Sequence, residues 1–312
     1  MSRGGLLSSA LPDNELPLSE LVAKKQIWMK SSHPSNLQVN IVFSDMDDTL
    51  LSNDKSISDK NLEVLDYLAK QGIPFVPTSG RALSLLPHEV LAHPASRYAI
   101  TADGATVNDL RTEEVLYKSH VKKEDALALF ELMKDLPVTF DVFSGGRAYT
   151  DNARREQMKL FRLPGHHKEF MLQSRIPYEG SPRDFIAALD DIERLGSYWS
   201  EDMDAQVRPR VEAALAEVGA FSVTSSMGVG AEILAKGTSK GTALLWLCKH
   251  LGLSVATAAA FGDADNDKEM LATAGIGVAI GNGNENVLRA ARFVTYSNEE
   301  SGEGRFLEWA LL

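Results

Sequence analysis

Residues 39–44 form a short run, apolar almost throughout, that leads directly into Asp45-Met46-Asp47-Asp48-Thr49. A strand without apolar/polar alternation is covered on both faces, the situation of a parallel sheet between helix layers. Helical periodicity follows, with Leu62, Val64, Leu65 and Leu68 on the apolar face, Ser58 as N-cap and Gly72 as C-cap. Then come a strand at 73–76, a helix at about 82–92 and a strand at 98–101. Alternation of this kind predicts an α/β sheet with right-handed crossovers. The rhythm lapses at about 117 and resumes past Lys236. There the expected elements are a helix at 239–251, a strand at 257–261, a helix at 267–273, a strand at 277–280, a helix at 284–290 and closing pieces at 293–295 and 303–312. Between the two halves, helices near 124–135, 151–162, 182–193 and 209–217 mix with short strands at 139–143 and 221–224.

The expected fold is therefore α/β: a doubly wound, Rossmann-like parallel sheet core over 39–116 and 235–312, with an α+β unit inserted over 117–234. Residues 1–38 read as a leader, helical at 18–29 and otherwise a flexible segment or a partner-binding arm. A chain of 312 residues is long enough for two packed units.

A net charge of −11 argues against a nucleic-acid or anionic-membrane surface. No run approaches the roughly 18 apolar residues of a membrane helix. The one cysteine, Cys248, permits no intramolecular disulfide and fits a reducing compartment. With no targeting signal core near the N-terminus, a cytoplasmic location is expected. The sequence does not give the oligomeric state.

Asp45 and Asp47 stand two residues apart at the carboxyl end of a buried strand, where open α/β sheets bind ligands. Such carboxylates repel unless a cation lies between them, and magnesium is a hard, oxygen-seeking ion of the right kind. One carboxylate can then attack phosphorus while the other acts as acid and base. Alone, an Asp-x-Asp also reads as a loop that caps the next helix. A second acidic cluster, Gly262-Asp263-Ala264-Asp265-Asn266-Asp267, follows another buried strand and arrives at the same sheet edge. Its own plainer reading is a turn before a helix N-terminus.

Phosphoryl chemistry also needs donors. Ser79, before Gly80, offers a hydroxyl and a backbone N–H, with Thr78 as the neighbouring alternative. Lys240 opens a helix, where its charge opposes the helix dipole unless an anion is near; Lys236 competes for the role. The 237–242 segment, Gly-Thr-Ser-Lys-Gly-Thr, lacks the spacing of a nucleotide-binding loop. His166-His167 lacks a matching ligand cluster.

Four elements in order, Asp45-Met-Asp47-Asp-Thr49-Leu, Thr-Ser79-Gly-Arg81, Ser-Lys240-Gly and Gly-Asp263-Ala-Asp-Asn266-Asp267, resemble the motifs of haloacid dehalogenase-like hydrolases. The resemblance is greatest to the Cof-type subgroup, with a large α/β cap between the second and third motifs. Asp103-Gly104-Ala105 is similar to that subgroup's Asn-Gly-Ala, with Asp103 a departure. The segment 298–304 also looks like the subgroup's C-terminal one. The resemblance covers roughly 39–312 and is weak for substrate.

It implies the following. Asp45 is the nucleophile and a magnesium ligand, and Asp47 the general acid/base with its carbonyl on the metal. Ser79 and Gly80 hold the transferring phosphoryl group, Lys240 neutralises charge, and Asp263 is a further magnesium ligand supported by Asp267. Asn266 sits at the phosphate or leaving-group side. The inserted unit would be a cap that reads the leaving group, with Arg147, Tyr149, Arg154 and His166 polar enough to contribute. The implied function is Mg2+-dependent hydrolysis of a small phosphorylated metabolite, such as a sugar phosphate, through an aspartyl-phosphate. A phosphomutase of the same superfamily and a non-catalytic phosphate-ligand binding protein are the alternatives.

Overall fold

The computed structural model describes residues 15–30, 37–163 and 167–312. Strands among them are labelled β1–β14 in chain order. The apolar run becomes β1 (Ile41–Ser44), buried at every position. It lies in an all-parallel sheet of order β14 (Phe293–Val294), β13 (Ile276–Ala279), β12 (Ala258–Gly262), β1, β2 (Phe75–Pro77). Successive β1 side chains feed opposite apolar layers. Val42 packs with Val64, Leu65, Leu68, Phe306 and Leu307, from helices Asp59–Gln71 and Gly302–Leu311. Ile41 and Phe43 pack with Leu244, Leu247, Met270 and Val287, from helices Lys240–Leu251, Lys268–Thr273 and Glu285–Ala290. The sheet is thus doubly wound. From β1 the chain goes to one neighbour, β2, and β12 flanks the other side, so a crevice opens at the carboxyl ends of β1 and β12.

Bridges Phe75↔Ser96 and Thr78↔Ile100 continue the sheet to β3 (Tyr98–Thr101). With β4 (Thr106–Asp109) and β5 (Glu114–Lys118), β3 forms an antiparallel sheet that the sequence reading missed. β5 runs past residue 117, so this sheet continues slightly beyond the boundary expected there.

The intervening residues build a second sheet of order β10 (Phe221–Thr224), β11 (Ala231–Ala235), β9 (Arg194–Ser197), β6 (Asp141–Ser144), β7 (Arg147–Asp151), β8 (Ile176–Tyr178). All its pairs are antiparallel except β7–β8. Alternation sorts its faces. Val142, Leu195 and Ile233 pack on helices Lys123–Met133, Pro182–Ala188 and Asp204–Val218. Their neighbours Phe143, Arg194 and Glu232 turn toward the crevice. This second layer is the cap.

Other expectations shift with identifiable causes. The helix expected at 82–92 is a turn at Leu83–Leu85 and a short helix His88–Ala92, divided at Pro87, which disfavours a helical residue before it. Leu62 lies outside the buried face of its helix; Asn61 is buried instead, donating to Leu50 O (2.9 Å) and accepting from Gly304 N (2.9 Å). The helix expected at 151–162 stops at Met158, and a further helix, His167–Ser174, was not foreseen. In the leader, Leu18–Lys25 is helical and residues 27–30 form one tighter turn, against the single helix expected over 18–29. Residues 1–14 and 31–36 and His166 lie outside the described residues.

Candidate active site

Asp45 follows β1 immediately. A single wide turn then closes through Leu50 N→Asp45 O (3.3 Å) and Leu51 N→Met46 O (2.9 Å), with Asp48 at φ 59°. Across the crevice, β12 ends at Gly262. A Cβ there would lie 2.4 Å from Cβ and Cγ of Asp267, so glycine lets that carboxylate fold back under the strand end. Asp267 Oδ2 accepts from the backbone N–H groups of Asp263 (3.0 Å) and Ala264 (3.1 Å). Lys240 is the first residue of its helix because Ser239 and Thr242 form a reciprocal cap, Thr242 N→Ser239 Oγ (3.0 Å) and Ser239 N→Thr242 Oγ1 (2.9 Å).

These placements converge. Lys240, fully buried, donates to Asp45 Oδ1 and to Asp267 Oδ1, each at 2.6 Å. Thr49 donates to Asp263 Oδ1 at 2.9 Å. Carboxylate oxygens of Asp45, Asp263 and Asp267 lie within 4.8 Å of one another. Three carboxylates thus face one ammonium. Burial would lower the Lys240 pKa, but Asp267 and then Asp45 drive it upward. Burial pushes the Asp263 carboxyl up to about 7, with Asp267 adding to it. Asp45 is raised by burial and by the carboxylates of Asp267 and Asp263, against the pull of Lys240. Lys236, the competing lysine, donates to Gly219 O at 3.4 Å on the surface.

Asp47 is held apart from the cluster. Arg81 grips it bidentately, Nε→Oδ2 at 2.8 Å and Nη2→Oδ1 at 2.6 Å, and Lys55 Nζ lies 3.0 Å from Oδ1. Burial would raise its pKa, but Arg81 and then Lys55 hold the carboxyl below its ordinary value. Ser79 is buried at the end of β2. Its N–H is taken by Ile100 O (2.9 Å), contrary to the expectation that it faces the ligand, so the hydroxyl is the group left to donate.

The departure at Asp103 has a structural partner. Asp103 accepts from Asn266 Nδ2 (3.0 Å) and pairs with Arg194 of the cap, which also lies 3.3 Å from Glu232 and donates to Tyr198 Oη (3.3 Å). A Cβ on Gly80 would come within 2.9 Å of both Asp103 carboxylate oxygens, so only glycine fits beneath this pair. Arg81, Arg194, Asp103, Lys55 and Glu232 were not among the expected site residues. Glu232 carries a signal, a charge inside the otherwise apolar strand Ala-Glu-Ile-Leu-Ala; Arg194, in Arg-Leu-Gly-Ser, carries none.

The cavity between the layers has a volume of about 520 Å³. Asp45, Asp47, Ser79, Gly80, Asp263 and Asn266 line its floor, and Phe143, Phe170, Met171, Arg194 and Glu232 its roof. Phe170 stacks over the Arg81 guanidinium at 4.6 Å. Arg147, Tyr149 and Arg154 do not line the cavity; Arg154 pairs with Asp151 (3.2 Å) and Tyr149 packs on Phe185 inside the cap.

A parallel sheet with an acidic crevice, a buried lysine and a roofed cavity defines a two-layer α/β hydrolase of phosphoryl type. The sequence model of haloacid dehalogenase-like hydrolases matches residues 42–307, and the chain belongs to that family. It is a phosphatase with the subgroup's Cof-type architecture. The HMP-PP phosphatase of Klebsiella pneumoniae is 30% identical over 221 residues, covering 70% of this chain and 76% of the relative. Among solved structures, a subclass IIB sugar phosphatase superimposes with a TM-score of 0.74 at 22% identity, covering 86% of this chain and 98% of its own. A haloacid dehalogenase-like hydrolase from B. subtilis superimposes with a TM-score of 0.73 at 24% identity, covering 88% and 100%.

Proposed function

We propose that this phosphatase hydrolyses the phosphate monoester of a small metabolite in two displacements, through an aspartyl-phosphate on Asp45, and that it requires Mg2+. The observation that carries the reading is the Lys240 ammonium set between Asp45 and Asp267 just beneath the floor of a roofed cavity. The donor set fits a divalent cation: three clustered carboxylates exceed the one ammonium by two charges. Asp45, Asp263 and the Asp47 carbonyl would hold the ion. Asp267, with one oxygen on Lys240 and the other on two backbone amides, supports the site from behind. Bound there, magnesium would offset charge on the phosphoryl oxygens.

Asp45 attacks phosphorus through a carboxylate oxygen, and the bond from phosphorus to the leaving oxygen breaks. Asp47 gives that oxygen its proton, then takes a proton from water as the water oxygen attacks phosphorus and the Asp45–phosphorus bond breaks. Arg81 stabilises Asp47 as the carboxylate, the form needed for the second step. A leaving oxygen that displaces Arg81 raises the proton affinity needed for the first. The Ser79 hydroxyl and Lys240 stabilise the charge on the transferring group. The cap over 117–234 excludes water and reads the leaving group. Relatives named as an HMP-PP phosphatase and a sugar phosphatase both support a small phosphorylated metabolite as substrate.

The test is phosphate release from a panel of phosphorylated sugars, nucleotides and cofactors, with magnesium and with EDTA. Wild type is expected to release phosphate only with magnesium, and Asp45→Asn, folded, to release none. Metal-independent release, or substantial turnover by Asp45→Asn, would overturn the reading.

A further inference from the structure

Glu303 lies beneath the active site and has no part in the chemistry described above. It is the second residue of helix Gly302–Leu311 and is 1% exposed. Among the described residues its hydrogen-bond partner is Ser44 Oγ, at 2.6 Å. That hydroxyl also lies 2.8 Å from the carbonyl oxygen of Asp45, the same carbonyl that accepts from Leu50 N to close the turn.

Counting hydrogens decides the state of the chain. A hydroxyl carries one hydrogen, and a carbonyl oxygen only accepts. The Ser44 hydrogen can serve only one of its two neighbours, and when it goes to Asp45 O the contact with Glu303 needs a hydrogen from Glu303. An ionised Glu303 would set two acceptors against one hydrogen. It would also leave its other oxygen, Oε1, buried as a charged acceptor without a partner. The helix N-terminus favours a carboxylate only modestly. An unpaired buried carboxylate costs several times that. The acid form wins, and burial pushes the Glu303 carboxyl up to about 8, with no charged neighbour contributing.

We propose that Glu303 is a positioning residue: as a carboxylic acid it donates to Ser44 Oγ, which donates to the Asp45 carbonyl, and this relay clamps the turn over residues 45–50. The turn carries Asp45, Asp47 and Thr49, so the relay sets the aim of the nucleophile and the spacing to its acid/base. The inference rests on the reading of Asp45 as the nucleophile.

The experiment compares wild type, Glu303→Gln, Glu303→Leu, Ser44→Ala and the Ser44→Ala/Glu303→Leu double variant. Hydrolysis of para-nitrophenyl phosphate is measured with magnesium, beside thermal denaturation and infrared spectra at neutral pH. Gln, whose amide N–H replaces the acid O–H, is expected to keep kcat. Leu is expected to fold and to lose roughly 10-fold in kcat at unchanged KM. Ser44→Ala should lose about as much, and the double variant no more than Ser44→Ala alone, because both act through one relay. A folded Leu variant with full kcat, or a Gln variant as impaired as Leu, would overturn the proposal. The infrared arm holds even if Leu fails to fold: wild type should show the carbonyl band of a protonated carboxylic acid that Glu303→Gln lacks, and its absence would overturn the proposal. Turnover by Asp45→Asn would instead refute the nucleophile and leave that band untouched, so the two failures are distinguishable.

Discussion

Asp47 meets two cations in this structure, Arg81 through both carboxylate oxygens and Lys55 through one. Burial alone would raise its proton affinity, so the depressed value is the work of these neighbours, Arg81 first. Removing Arg81 leaves the burial and removes the larger offset. In an Arg81→Ala variant the Asp47 pKa therefore rises, and because the first displacement needs Asp47 protonated, the alkaline limb of the kcat/KM–pH profile is expected to move to higher pH than in wild type. A limb that stays in place would separate Asp47 from the titration that limits the rate. Residues whose place in the fold follows from position on the chain, such as Asp45 after a buried strand, were legible in the sequence. Arg81 was quoted within its motif but carried no role, because nothing in its spacing shows which carboxylate it reaches. Asp103 stood out as a departure, and only the tertiary fold supplies its partner Arg194, 91 residues away.

At the scale of elements, the leader helix Leu18–Lys25 lies outside the matched family region yet docks on the core. Lys25 Nζ donates to the carbonyls of Leu288 and Arg289 (2.8 Å each) as helix Glu285–Ala290 ends, where a cation complements the helix dipole. Trp28 is 5% exposed, donates to Val294 O (2.8 Å) and meets Phe306 and Trp309 with ring centroids 5.0 and 5.1 Å away. Truncation of a buried tryptophan leaves a large cavity, so Trp28→Ala is expected to lower unfolding stability by about 3–5 kcal/mol in chemical denaturation. A loss below ~1 kcal/mol would mean that this segment contributes little to the fold. Strands with uninterrupted apolar runs, β1 and β12, could be read from the sequence. β4, β5, β7 and β9 could not: polar and charged residues break up each of them, so none shows an uninterrupted apolar run. The break at Pro87 was readable in principle, since the residue before a proline leaves the helical region.

Over the whole molecule, a net charge of −11 coexists with cations gathered locally at the cavity: Lys240 under the floor, Arg81 and Lys55 at one side, Arg194 in the roof. The two layers are joined by buried polar links rather than apolar contact alone. Arg194 pairs with Asp103, and Ser119 Oγ lies 2.6 Å from Thr238 Oγ1 where the chain crosses between them. Among the described residues no helix is long and apolar enough to cross a membrane. The order of the four motifs made the core and the residues that line the cavity floor legible. The roof was not, because which cap side chains face inward depends on strand register, and the four polar candidates chosen by type alone included three that point elsewhere. The central claim is that the phosphoryl group passes through Asp45. Its most direct test is an acid quench of wild-type enzyme during turnover, followed by reductive trapping and peptide mass analysis. The account predicts the phosphoryl-derived label on Asp45 alone, formed and lost at rates compatible with kcat. No label on Asp45 during productive turnover, or label on another residue, would contradict it.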